Sequence, residues 1–430
     1  MNNKEIVVFW FRRDLRFYDN LGLEKALSSG YKVLPIFIFD ENILDRLQKA
    51  DARVTFIYKN LQSLNNELKR YGSLLLIKKG IPLEVWKGLL NEFTIKKVFF
   101  NRDYEPYALQ RDNEVSTFLT HNSIAFESCK DQVIFEKDDI LKDNGQPYTI
   151  YTPYKNRWLE HFKQIKIKVS DTTLDFDNFY KHVTEFPSLI SIGFAKSDLK
   201  VLPYNLNVID NYHIYRNYPA EESTSNLSPH LRFGTVSIRK LVELAQNKNE
   251  VFLSELIWRE FFMQILFHYP EVVTYNFKRK YDGIKWRNNG EEFEKWCRGR
   301  TGYPMVDAGM RQLNQTGYMH NRVRMITASF LCKHLLIDWR WGEAYFAEKL
   351  LDYELASNNG NWQWAAGTGC DAAPYFRVFN PESQLEKFDP ENNYIKKWIP
   401  ELGKDYIRPI VEHKFARERA LKVYEEGLKK

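Results

Sequence analysis

The chain reads as a doubly wound parallel α/β domain followed by an all-helical domain, and three features of the sequence say so. Short apolar runs alternate with amphipathic segments through the first ~130 residues. That alternation is the pattern of strands buried on both faces and joined by crossover helices. From about Asn207 it stops, and apolar residues recur at helical spacing to the end. No G-x-G-x-x-G or G-x-x-x-x-G-K-[ST] motif occurs, so neither a dinucleotide fingerprint nor a P-loop accounts for the α/β part.

Ile6–Phe11 (IVVFWF) and Val33–Phe39 (VLPIFIF) predict buried strands, as do Ser73–Gly80 and the run from Lys96. Helical spacing between them predicts helices near Asn20–Ser28, Ala52–Tyr71 and Pro82–Phe93. Ligands of such sheets sit at the carboxyl ends of strands. FRRDLRFYDN and NRDYEPYALQRD follow two strands, and each is either a ligand loop or a solvated loop of paired charges. From Asp131 to Leu202 the periodicity weakens, and turn signals in KDDILKDNGQPYTIYTPY predict a long connection. The expected organisation is 1–130 α/β, 131–202 linker and 203–430 helical.

Composition narrows the class. The 430 residues are 44% hydrophobic, enough for two or three domain cores. No run of ~18 apolar residues predicts a membrane span, and the first residues lack the order of a signal peptide. The four cysteines form no CxxC pair, which argues against a zinc site or a disulfide framework and for a reduced, cytoplasmic protein without metal. Net charge is +6, and from Val201 onward 32 basic face 29 acidic residues, a balance that permits nucleic-acid binding without demanding it.

The segment least like a core helix is Leu351–Arg377, LDYELASNNGNWQWAAGTGCDAAPYFR, with its acids, amides, paired tryptophans and small-residue tail. It is either the wall of a site or an irregular surface segment. Asn358 and Trp362 share a helical face, whereas Trp362 and Trp364 point roughly 200° apart and serve different neighbours. In FLSELIWRE, Glu255, Trp258 and Arg259 share a face beside apolar flanks. They form either a buried Glu–Arg pair or an aromatic platform with polar anchors for a flat ligand. In YMHNRVRMI, Asn321, Arg324 and Met325 share a face and Arg322 points elsewhere. This is either a basic surface helix or one whose Arg324 pairs with an acid such as Asp352. In STSNLSPHLRFG, four hydroxyls (Ser223, Thr224, Ser225, Ser228) precede a helix start, where a plain cap needs one; the surplus also suits phosphate. Trp286, Trp339 and Trp341 add indoles that serve either as core or as an electron relay.

Taken in order, FWFRRDLRFYDN, TSNLSPHLRFG, ELIWREF, TGYPMVDAGMRQLNQTGYMHNRVRMITASFL, LLIDWRWGEAYF and NNGNWQWAAGTGCDAAPYFRVFNP resemble the signatures of the photolyase/cryptochrome family over nearly the whole chain. The resemblance is closest to bacterial class I cyclobutane pyrimidine dimer photolyases. It implies an α/β antenna domain, a wrapping linker and a helical domain that holds FAD. By residue-wise match, Tyr212 and the stretch Thr224, Ser225, Asn226, Leu227 and Ser228 hold the FAD phosphates and ribityl chain. Phe252 and Arg259 flank the flavin, Arg324 pairs with Asp352, and Asp352, Tyr353 and Glu354 line the ring, with Asn358 near N5. Trp362, Trp339 and Trp286, in that order outward, match the chain that photoreduces FAD. Glu255, Trp258, Asn321, Arg322, Met325 and Trp364 match the pocket for a flipped dimer, with Arg216 at its phosphates.

The implied reaction is light-driven repair of damaged DNA by a monomer, with a blue-light receptor as the alternative. The (6-4) branch matches with histidines in the helix holding Asn321, where this chain has Asn321 and a single flanking His320. Plant-type cryptochromes generally lack the paired indoles found here as Trp258 and Trp364, and no C-terminal signalling tail is expected after the last helix. A light-independent flavin oxidoreductase would need a nicotinamide site, and no such motif is visible. Departures from the family pattern are Glu354 for the usual Asp and Phe252 for a frequent Trp. Ala108 stands where the folate-binding type has Glu, which weakens a methenyltetrahydrofolate antenna. Arg13, Asp103 and Glu105 look more like the deazaflavin- or flavin-binding type.

Overall fold

The structure, a computed structural model, describes residues 5–170, 174–403 and 406–429. The chain forms two compact units. The first comprises Met1–Asp139, His161–Pro203 and Leu227–Asn247; the second comprises Ile140–Glu160, Tyr204–Asn226 and Lys248–Lys430.

The first unit is built on a five-stranded, wholly parallel sheet in the order β3-β2-β1-β4-β5. The strands are β1 (Ile6–Phe11), β2 (Lys32–Asp40), β3 (Leu76–Gly80), β4 (Ile95–Asn101) and β5 (Ala125–Cys129). Every residue of β1 is buried because apolar clusters cover both sheet faces. Helices Leu21–Leu27, Ala52–Lys69 and Pro82–Glu92 fall where the spacing predicts them. The sequence reading lacked β5 and the helix Pro106–His121. β5 is an edge strand, half exposed and short of the apolar run that marks its neighbours. Pro106 starts a helix inside NRDYEPYALQRD, so only the part of that segment before it is a loop.

Strand order reverses between β1 and β4, the place where such sheets bind ligands. The expected antenna residues meet there in a closed set of ion pairs. Arg13 reaches Asp103 and Glu105, both at 3.1 Å, and Arg232 reaches Glu105 at 2.9 Å. Burial would raise Asp103, but Arg13 and Arg232 outweigh it and hold the carboxyl far below its usual range.

The helical residues 227–247 fall within the first unit, although the sequence assigns them to the helical half. Two contacts explain it. Gly234, at φ +63°, lies so close to the loop after β1 that a Cβ would stand 2.1 Å from the Arg13 carbonyl. Arg239 is buried against Asp19 at 2.9 Å and Asp131 at 2.8 Å, and Asp131 also binds Arg16 at 2.8 Å. Burial pushes Asp131 up, but Arg16 and Arg239 more than reverse it. The expected linker is also no single connection, since it holds the helix Tyr151–Gln164 and is shared between the units.

The second unit is helical. Its core gathers Trp296, Phe330, Leu331, Trp339, Phe346 and Trp362 from the helices Gly290–Cys297, Trp339–Lys349 and Leu355–Ala366 and the π-turn Phe330–His334. That π-turn buries Lys333, which donates to the carbonyls of Ala366 at 2.8 Å and Tyr375 at 3.2 Å. Burial drops its pKa to about 7. Among the described residues no helix is long and apolar enough to cross a membrane, and no group of three His, Cys, Asp or Glu side chains gathers as metal ligands.

Removing one partner from a buried charge network leaves the others unpaired. Arg239→Met is expected to destabilise the first unit by about 3–5 kcal/mol. Urea unfolding followed by far-UV circular dichroism measures it, and a loss below about 1 kcal/mol would mean the network does not hold residues 227–247 in place.

Candidate functional site

The helix Leu355–Ala366 organises the site. Its polar sequence is tolerated inside a core because its amides divide between two tasks. Asn359 and Gln363, four apart and therefore on one face, point inward. Both donate to the Val272 carbonyl at 3.0 Å, Gln363 also donates to Tyr275 at 3.2 Å, and its oxygen accepts from the Phe277 amide at 2.8 Å. Between them Gly360 permits close approach of the helix Glu250–His268, since a Cβ there would lie 2.1 Å from the Phe262 ring. Gly367, at φ +87°, ends the helix, and Lys333 and the Tyr424 hydroxyl both cap the Ala366 carbonyl at 2.8 Å.

Asn358 and Asn361 face the other way, onto a cavity of about 90 Å³ also bordered by Asn321, Arg324, Met325, Asp352, Tyr353, Glu354, Trp362 and Trp364. Arg324 donates to Asp352 at 2.9 Å and to the Met319 carbonyl at 2.8 Å. Arg259 donates to Glu354 at 3.0 Å, and the Ser357 hydroxyl donates to the other Glu354 oxygen at 3.0 Å. The longer acid at 354 is thus anchored on two sides. Both indoles border this one cavity, despite the opposite directions their spacing assigns them. Trp362 is 2% exposed, sits in the core against Phe346 (4.9 Å) and Trp296 (6.1 Å), and also borders the cavity. Trp364 is half-buried.

A second cluster surrounds Glu255. Arg216 pairs with Glu255 at 2.8 Å and lies over the Tyr212 ring at 5.2 Å. Glu255 therefore pairs with Arg216, not with Arg259 one turn away. Burial raises the Glu255 carboxyl and Arg216 partly opposes it. Tyr212 meets Phe252 edge-on at 5.1 Å. Trp258 carries Tyr151 flat against it, centroids 3.5 Å apart and planes 8° apart, so that face is covered. The Tyr151 hydroxyl is tied to Ser254. Tyr151 is absent from the residues read from the sequence, and only its aromatic type at a turn hinted at it.

Asn321 occupies the first position of the helix Asn321–Ser329, where a poor helix former costs little. Arg322 donates to Asn217 at 2.6 Å and lies over Phe388 at 4.4 Å. His320 caps this helix, its Nδ1 accepting from the Arg322 amide at 3.1 Å. Burial, with Arg322, Arg324 and Arg216, drops its pKa to about 4.

The remaining candidates are more dispersed. Thr224, Ser225 and Asn226 end a segment of the second unit, with Asn226 at φ +53° and the Ser225 carbonyl accepting from Asn205. Leu227 and Ser228 begin the short helix Leu227–Arg232 of the first unit. Trp339 is buried and donates to Asn276 at 2.8 Å, and Trp286 is half-buried, edge-on to Tyr424 at 5.8 Å. No two of Trp362, Trp339 and Trp286 are in ring contact among the described residues.

The cavity offers a guanidinium braced by a carboxylate, an amide and an aromatic rim of Tyr353, Trp362 and Trp364. That donor set fits a planar heteroaromatic edged with N–H and C=O groups, and so fits the isoalloxazine of FAD.

Comparison with known proteins agrees with this chemistry. Residues 252–404 match the family model described as the FAD binding domain of DNA photolyase, and residues 7–173 match DNA photolyase. A deoxyribodipyrimidine photo-lyase of Halobacterium salinarum is 36% identical, covering 98% of this chain and 99% of that protein. A bacterial class III photolyase from Agrobacterium tumefaciens superposes with a TM-score of 0.87 at 32% identity over 100% of this chain and 99% of its own. A Synechocystis cryptochrome does so at 0.84 and 26% identity, over 98% and 100%.

The His320 cap has a definite pH signature. The imidazole caps only when neutral, and its folded pKa of about 4 lies below the ~6.5 of an unfolded histidine. Its stabilisation is therefore present above about pH 6.5 and is lost as pH falls toward 4. The protection of amides 321–325 against hydrogen exchange, with the intrinsic pH dependence of exchange divided out, is expected to fall over that window, and His320→Ala is expected to remove this fall. An unchanged profile in His320→Ala would refute the assignment.

Proposed function

The chain belongs to the DNA photolyase family, and from that premise we propose that it is a deoxyribodipyrimidine photo-lyase that repairs cyclobutane pyrimidine dimers in DNA under light. The observation that carries the reading is a single cavity wall with two kinds of lining. Arg324–Asp352, Glu354 and Asn358 suit a flavin, and Asn321, Met325 and Trp364 suit a flipped pyrimidine dimer.

On this reading Arg324 with Asp352, Arg259 with Glu354, Tyr353, Phe252, Asn358 and Tyr212 hold FAD, and the Thr224–Ser228 stretch takes its phosphates. Bound reduced FAD supplies an excited-state electron donor. The protein's own part is to hold, desolvate and polarise. Turning the dimer out of the stack costs a few kcal/mol, least for damaged bases. Trp364 and Trp258 receive it, with Tyr151 fixing the Trp258 plane. Glu255, held by Arg216, and the Asn321 amide hydrogen-bond the base edge, the amide both donating and accepting. Charge arriving on the dimer is stabilised by these preorganised dipoles. Arg322 and Arg216 lend positive charge to the rim, so binding weakens with salt. Trp362 is buried at the cavity, Trp339 is buried and Trp286 is half-buried, a gradation of exposure that supports their reading as a relay to the cofactor. The Arg13–Asp103–Glu105 cluster at the sheet's switch point would take a second, antenna chromophore of the deazaflavin, flavin or methenyltetrahydrofolate type. The protein acts as a cytoplasmic monomer.

The Synechocystis cryptochrome likeness supports a second reading, a blue-light receptor without repair. The Trp258–Trp364 pair and the Glu255–Asn321 set favour repair.

Illumination of the prereduced protein with a dimer-containing oligonucleotide is expected to restore intact pyrimidines, measured by chromatography of the strand. Dimer content that stays constant in the light would sink the repair reading and leave the receptor. Trp362→Phe is expected to slow photoreduction of oxidised FAD by at least about tenfold, or ~1.4 kcal/mol in barrier. Repair by chemically prereduced enzyme is expected to survive the substitution. Unaltered photoreduction in this variant would remove Trp362 from the relay.

A further inference from the structure

The plane of the Trp258 indole is not fixed by its own torsions, because the bond that turns an indole has a broad, two-fold preference. Neighbours must set it, and Tyr151 does so from two directions. Its ring lies flat on the indole, centroids 3.5 Å apart and planes 8° apart, whereas Phe262 touches the same indole at a looser 5.5 Å and 28°. Its hydroxyl meets Ser254 twice, at the backbone carbonyl (2.7 Å) and at Oγ (2.6 Å). A phenol has one proton and a carbonyl only accepts, so Tyr151 donates to the carbonyl and the Ser254 hydroxyl donates to Tyr151. That carbonyl stands four residues before Trp258 in the helix Glu250–His268, where it also receives the Trp258 amide. Tyr151 therefore holds both the ring of Trp258 and the helical turn that carries it.

Tyr151 is itself tied down. It is 6% exposed, begins the helix Tyr151–Gln164 and lies edge-on to Phe261 at 5.8 Å. Its amide donates to the Asp371 carboxylate at 3.1 Å, and the Asp371 amide returns a bond to the Thr149 carbonyl at 3.2 Å. Burial pushes the phenol pKa up, so the hydroxyl keeps the proton it donates.

We propose that Tyr151 is a positioning residue that determines specificity: by holding Trp258 as a rigid wall, it makes the site prefer the cyclobutane dimer to undamaged pyrimidines. The proposal rests on the reading that Trp258 receives the dimer. The cyclobutane ring joins two pyrimidines into one bent, rigid body, whereas two undamaged pyrimidines are flat and turn independently. A fixed indole matches the first and gains little from the second. An indole free to turn adapts to either, and specificity is the difference between the two affinities.

The test uses FAD-loaded protein in the dark and two labelled oligonucleotides of one sequence, with and without a single dimer. Binding is followed by fluorescence anisotropy, and FAD content per chain is measured alongside. Tyr151→Leu is expected to weaken dimer binding about tenfold, the order of one base–aromatic stack. Its affinity for the undamaged strand and its FAD content are expected to match the parent, so the ratio of the two affinities falls. Tyr151→Phe, which keeps the stack and loses the tie to Ser254, is expected to lose about threefold, the order of one neutral hydrogen bond. Equal loss of dimer and undamaged binding, or loss of FAD, makes Tyr151 merely structural and overturns the proposal. Trp258→Ala separates the two claims. If it weakens dimer binding and Tyr151→Leu does not, the Tyr151 proposal alone is overturned. If Trp258→Ala leaves dimer binding unchanged, the reading of Trp258 falls and the proposal with it. If Tyr151→Leu does not fold, Tyr151→Phe carries the same comparison of dimer with undamaged strand.

Discussion

The Asn359 and Gln363 amides, bonded to backbone at Val272, Tyr275 and Phe277, are what allow a polar helix to sit in the centre of the second unit. Each such bond contributes only about 1 kcal/mol net, but an unmade one in that position costs about 1–3 kcal/mol. The geometry is therefore strongly specified. With that face anchored, and with Gly360 and Gly342 admitting Phe262 and Trp362 at contact distance, the opposite face of the helix has one possible direction. Asn358, Asn361 and Trp362 border the cavity because Asn359 and Gln363 cannot.

The charges around the site follow the same logic. Arg259–Glu354, Arg324–Asp352 and Arg216–Glu255 are each a carboxylate matched to a guanidinium in partly desolvated surroundings. Such pairs add little to stability, because desolvation offsets most of their attraction. What they contribute is orientation, since each fixes a long side chain that would otherwise sample many rotamers. Glu255 differs in degree, because burial draws it toward the neutral form even beside Arg216.

Much of this was legible in the sequence. Strands buried on both faces of a parallel sheet must be continuous apolar runs, so β1 to β4 could be read directly. β5, at the edge and half exposed, could not. The unusual polarity of Leu351–Arg377 marked the site, and helical spacing grouped Asn321 with Arg324 and Met325, all of which border the cavity. The placement of residues 227–247 in the first unit was not legible. Their periodicity is helical like that of the second unit, and only the buried Arg239–Asp19–Asp131 network and the close approach at Gly234 assign them.

By itself, then, the sequence determined which segments are strands and helices, which face of each is apolar and where polar residues are concentrated. These are properties of neighbours within a few residues. The tertiary structure alone decided the partners. Arg259 takes Glu354, 95 residues away, in place of Glu255 one turn away. Two of the helix amides go to the core and two to the cavity, and Tyr151 covers one face of Trp258. Helical spacing sets the direction in which a side chain leaves its helix, but what it meets there is set by the packing of other elements against it.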